Sequence, residues 1–144
     1  MPRTQVEEAD VAVVGARCAG AATAMLLARQ GHRVTLVDRA RFPSDTLSTH
    51  AIARAGVVQL DRWGLLDDVV ATGAPPIRTA SFHVGGEVIE RRIKARAGID
   101  HLVAPRRHVL DTLLVDAAAA AGADVRTGLN VTGVTRHLGR VTGI

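Results

Sequence analysis

Residues 15–20 read Gly-Ala-Arg-Cys-Ala-Gly, and Asp38 follows at the roughly 20-residue spacing at which an acid meets a ribose hydroxyl. In a glycine loop of this kind the first glycine makes the sharp strand-to-helix turn. The second lets backbone approach a pyrophosphate, and the third lets helix and strand pack closely. The helix N-terminus then offers its N–H groups and positive dipole end to the anion. Gly15 and Gly20 meet the first and third needs, while Ala16, Cys18 and Ala19 keep the turn small. Arg17 departs from the second. A side chain there crowds the phosphate unless its guanidinium points outward or runs along the ligand and supplies charge-assisted bonds. The expectation is that Arg17 contributes a bond. An acid rather than a compensating base at the strand end favours an adenosine ribose without a 2′-phosphate. The chemistry is that of holding a dinucleotide.

The elements that must position these residues are legible around them. Asp10 to Val14 is a short apolar run that stops at Gly15, as a buried parallel strand does. Ala19 to Gln30 is rich in Ala and Leu, and Gly31 stands where a glycine ends a helix. Arg33 to Val37 is a second strand, closed by Asp38. This is a βαβ unit, with a right-handed crossover expected. No plain βα repeat follows. A polar loop with Pro43 leads to helical spacing over Ala51 to Trp63 and a short helix over Gly64 to Thr72, and Pro75-Pro76 breaks the chain. Ile77 to Val84 and Glu87 to Ile93 read as strands of a tight hairpin through Gly85-Gly86. A helix is expected from about Arg106 to Ala121, a strand from Asp124 to Arg126, and a last hairpin turning near Leu138-Gly139.

Composition sets the outer limits. The chain has 144 residues, enough for one domain with a real core. Trp63, Phe42 and Phe82 are its only aromatics, so the core must be aliphatic. The net charge of +4 suits an anionic cofactor. The basic residues are scattered, without a stripe or stacking aromatics, which argues against a nucleic-acid partner. One cysteine, Cys18, excludes an internal disulfide and fits a reducing compartment. No apolar run approaches the roughly 18 residues of a membrane span. A soluble, cytoplasmic protein is expected.

Three stretches carry a family resemblance: VVGARCAGAATAMLLARQGHRVTLVDR, FPSDTLSTH and PRRHVLDTLLVDAAAAAGADV. Together they resemble the N-terminal part of the FAD-dependent monooxygenases. These are the aromatic hydroxylases of the p-hydroxybenzoate hydroxylase type, with relatives among geranylgeranyl reductases and flavin halogenases. The resemblance implies an α/β, Rossmann-like FAD-binding domain whose second crossover is very long, carrying helices and a hairpin over residues 39–104. The whole of 1–144 then reads as the N-terminal portion of that domain, truncated in mid-sheet.

The resemblance also implies roles. Gly15, Ala16, Arg17, Cys18, Ala19 and Gly20 hold the FAD pyrophosphate, Asp38 the adenosine ribose, and Arg39 the adenosine side. Arg107, ahead of Leu110, reaches the phosphates or ribityl, with Arg106 as the adjacent alternative. Val131 backbone lies near adenine. An Arg of the family that contacts flavin has no counterpart here, where Ser48, Thr49 and His50 stand. His50 is then read first as a helix N-terminal residue bonding to backbone, and second as a flavin or substrate contact.

No residue reads as a general acid, base, nucleophile or metal ligand, and the family leaves the oxygen chemistry to its cofactor. The implied activity is that of a monooxygenase using NAD(P)H and O2 on a small organic, aromatic-type substrate. A reductase or halogenase of the same fold is the alternative, as is a non-catalytic nucleotide-binding remnant. A plain NAD-dependent dehydrogenase is disfavoured by the long excursion after the second strand.

Overall fold

The computed structural model describes residues 6–48 and 51–144. Two compact units share the chain, one of Met1–Ser44 with Asp111–Ile144 and the other of Asp45–Leu110. The second unit overlaps most of the expected 39–104 excursion.

The first unit is built on a three-stranded parallel sheet in the order β1 (Val11–Val14), β2 (Val34–Asp38), β5 (Asp124–Thr127). Val11 pairs with Val34 and Val14 with Val37, and on the other side Thr35 pairs with Asp124 and Asp38 with Thr127. The central strand, Val-Thr-Leu-Val-Asp, is almost wholly buried, as an apolar parallel strand should be. Helix α1 (Cys18–Arg29) presents Ala21, Ala24 and Met25 inward, the i, i+3, i+4 set of one helical face. Leu114, Val115 and Ala118 are buried from α4 (Arg107–Ala120), whose first turn falls in the other unit. A last hairpin, β6 (Thr135–His137) and β7 (Arg140–Gly143), turns at Leu138 and Gly139.

The second unit holds α2 (Arg54–Trp63), α3 (Leu66–Ala71) and the antiparallel hairpin β3 (Thr79–Val84) and β4 (Glu87–Arg92). Its core is Val57, Val58, Leu60, Leu65, Leu66, Val69, Ile99 and Val103. Gly85 and Gly86 take φ of +56° and +88°, the paired left-handed conformations that a two-residue hairpin turn demands.

Two boundaries differ from the sequence pattern for one reason. Helix α2 begins at Arg54 rather than Ala51, because Ile52 forms an antiparallel bridge with Val103 and its N–H donates to the Val103 carbonyl at 2.7 Å. Strand β3 likewise begins at Thr79, with Ile77 bridged to Leu102. The segment 99–103 claims both isoleucines. Among the described residues no helix is long and apolar enough to cross a membrane.

Candidate functional site

The glycine loop joins β1 to α1. Gly15 has φ +100°, and its N–H donates to Val37 O at 2.7 Å, so the turn is stitched to the neighbouring strand. At Gly20 a Cβ would fall 1.7 Å from Gly15 O, an overlap that no side chain survives. The helix thus packs against the loop so closely that only glycine fits. Arg17 is the N-cap of α1, with extended backbone and no side-chain hydrogen bond to the first turn, which carries no acid. The first-turn N–H groups therefore keep the anion-binding character of a helix N-terminus.

Asp38, at the end of β2, is buried and binds the loop directly. Its Oδ2 accepts the Ala16 N–H at 2.6 Å and its Oδ1 accepts the Ala40 N–H at 2.7 Å. Each carboxylate oxygen retains a second lone pair, so a ribose hydroxyl can still be received. Beside it, Leu129 N–H donates to Asp38 O and Gly128 N–H to Ala40 O, which extends the β2–β5 pairing into the 128–131 segment. The result is a groove of about 210 Å³ lined by Val14, Gly15, Val37, Asp38, Arg39 and residues 129–131, Val131 included. Sequence reasoning had named Gly15, Asp38, Arg39 and Val131 separately, and the fold brings all four to this groove.

Arg17 is engaged by protein. Its Nη1 donates to Ser44 O at 2.7 Å and to Asp111 Oδ2 at 2.8 Å, and its Nη2 donates to Ser44 Oγ at 2.8 Å. The guanidinium lies 5.0 Å from the centroid of the Phe42 ring, within cation–π range. Cys18 Sγ donates to the other oxygen of Asp111 at 3.0 Å. Asp111 is fully buried.

In the other unit, Arg107 lines a cavity of about 670 Å³ with Arg106, Asp45, Thr46, Ser48 and Pro105. Its neighbour Arg106 is exposed and bound to Asp45 at 2.6 Å, and His108 Nδ1 lies 3.7 Å from the same carboxylate. The Arg106 hydrogen bond, helped by the Thr46 N–H, holds the Asp45 carboxyl below its ordinary range. Thr49 and His50 lie outside the described residues.

A family model described as an FAD binding domain matches residues 8–144. The chain belongs to that family. It is 29% identical over 126 residues to kynurenine 3-monooxygenase of Christiangramia forsetii, covering 83% of this chain and 28% of that protein. It is 39% identical over 87 residues to menaquinone reductase of Mycobacterium tuberculosis, covering 57% of this chain and 20% of the relative. Among solved structures, the myxobacterial chondrochloren halogenase superposes with a TM-score of 0.82 at 25% identity, over 94% of this chain and 32% of the halogenase. The chain thus spans a third or less of the length of these relatives.

As an FAD binding domain, the chain has residues that fit the cofactor. Gly15 takes a positive φ, Gly20 stands where a Cβ is forbidden, the first turn of α1 has no side-chain cap from Arg17, and Asp38 lines the groove. Bound FAD would supply electron-transfer chemistry. The loop and helix amides would hold the diphosphate, and Asp38 would receive the ribose. Asp111 and Ser44 escaped sequence reasoning. The available signal was Asp111 itself, a charge among Leu114, Val115 and Ala118 on the buried face of α4, which requires a counter-charge.

Proposed function

We propose that the protein is a flavin-dependent monooxygenase that uses NAD(P)H and O2 on a small organic, aromatic-type substrate. The chain contributes the loop and groove that hold the adenosine diphosphate half of FAD. The observation that carries the FAD part is Asp38. One buried carboxylate at the end of β2 fixes both Ala16 in the glycine loop and Ala40 beyond the strand, beside a groove that also contains Val131. The likeness to a monooxygenase over 83% of the chain supports the reaction class.

The full-length protein should purify yellow and release FAD on denaturation. Recovery of bound NAD(H), with no flavin uptake after reconstitution, overturns this reading. A reductase of the same fold is the second reading, favoured by the higher identity to menaquinone reductase over a shorter span. The two separate in an anaerobic assay. A reductase oxidises NADH or NADPH with a soluble quinone such as menadione as acceptor, whereas a monooxygenase needs O2 and its organic substrate.

A further inference from the structure

Three consecutive residues of the glycine loop are each held by a group from elsewhere in the same unit. Ala16 N–H is bound by Asp38, Arg17 by Ser44 and Asp111, and Cys18 by Asp111. Arg17 spends three of the five guanidinium N–H directions on this arrangement and stacks on Phe42 as well. Its backbone carbonyl accepts the Ala21 N–H at 2.9 Å, so whatever fixes Arg17 also fixes the first turn of α1. Asp111 has both oxygens engaged and no exposure, and Arg17 supplies the charge that makes its burial tolerable.

From this geometry we propose that Arg17 and Asp111 are a positioning pair for FAD. They hold the glycine loop, with the Phe42–Ser44 segment, in the shape that receives the diphosphate. The arginine thus serves the cofactor through protein groups rather than by touching phosphate. The inference rests on the FAD-binding reading above and explains how the loop accommodates arginine where a second glycine is usual. Ordering the loop beforehand removes part of the entropy that binding would otherwise cost.

The discriminating variant is Asp111→Asn, measured by FAD titration of reconstituted full-length protein beside Arg17→Met and the double variant. A positioning pair predicts that Asp111→Asn weakens FAD binding on the order of tenfold, as coupled neighbours do. The double variant should then be no weaker than the worse of the two single ones. A direct phosphate contact predicts the reverse. Losing Asp111 would release the guanidinium and leave the affinity unchanged or tighter, and that result overturns the proposal.

Arg17→Met alone removes a cation beside a buried carboxylate and risks failing to fold. The double variant removes both charges and keeps the test open. Amide exchange in the apoprotein separates positioning from a merely structural role. Asp111→Asn should speed exchange at 16–20 and 42–44 while β2 stays protected. Loss of protection across β2 as well, with unchanged FAD affinity in the folded protein, would reduce the pair to a fold stabiliser. A wild type that takes up no flavin defeats the FAD reading itself. A wild type that binds, matched by Asp111→Asn, defeats only the pair.

Discussion

The glycine loop and the β3–β4 hairpin are both turns between short elements, yet they are specified in opposite ways. In the loop several positions are committed by packing or hydrogen bonds. Gly20 has no room for a methyl group, and residues 16 to 18 each make a bond to a partner distant in sequence. In the hairpin the turn glycines meet nothing, and the strands carry their apolar side chains outward, with Phe82 54% and Val84 64% exposed. The hairpin is defined mainly by backbone pairing and two left-handed residues, with one long cross-strand bond from Ser81 Oγ to Glu90. The two regions thus differ in how tightly they constrain their residues, and substitutions in them should differ accordingly.

The largest effect is expected at Gly20. Gly20→Ala puts a methyl group against Gly15 O, and relief requires the loop and α1 to separate. Overpacking of this kind costs about 1–3 kcal/mol or more, which at its upper end is roughly a hundredfold in affinity. FAD binding should be lost on titration, while Gly86→Ala in the hairpin, strained only through its positive φ, leaves it untouched. Equal losses in both variants would erase the contrast between the regions.

Asp38→Ala comes next. It removes the proposed ribose acceptor and also strands the Ala16 and Ala40 N–H groups, each bonded to a charged oxygen. Bonds to charged groups are worth about 1.5–3 kcal/mol each. FAD affinity should fall by about tenfold or more, and the thermal midpoint of the apoprotein should fall by several degrees as well. A loss of affinity with an unmoved midpoint would assign Asp38 to the ribose alone.

These residues also show what a single sequence can reveal. Gly15, Gly20 and Asp38 were legible because a left-handed turn, a forbidden Cβ and an acid at a strand end are local demands that dictate residue type. The two flanking strands and α1 were legible for the same reason. Asp111 was not, since its partner lies 94 positions away and only three-dimensional packing joins them. The bridges of Ile52 and Ile77 to 102–103 were hidden likewise, because isolated pairings leave no periodicity to read.

A smaller contrast separates neighbours within the second unit. Arg107 and Arg106 both line the cavity that also contains Ser48 and Thr46, and Arg106 is bound to Asp45 there. If Arg107 reaches the cofactor, Arg107→Ala should weaken FAD binding by roughly tenfold, the scale of one bond to a charged group. Arg106→Ala should not. The opposite ranking would exchange their roles.

The smallest effect is the acid response of that same surface pair. Asp45 has its carboxyl pulled below its ordinary value of 3.8, first by the Arg106 hydrogen bond and then by the Thr46 N–H. A depressed folded-state value means that the contribution to stability is fully present above the unfolded value. It disappears as pH falls through the lower folded one. Arg106→Ala removes the larger cause and leaves the Thr46 bond, so the acid limb below pH about 4 should become shallower without vanishing. Asp10 and Asp100 keep their own partners, Arg33 and His101, and sustain the rest of that limb. At neutral pH an exposed pair contributes little, so urea midpoints of wild type and variant should nearly coincide there and converge further in acid. A large loss of stability at pH 7 would mean that the Asp45–Arg106 link anchors the segment around Ser48, and the hairpin unit would then be as tightly specified near its cavity as the glycine loop is.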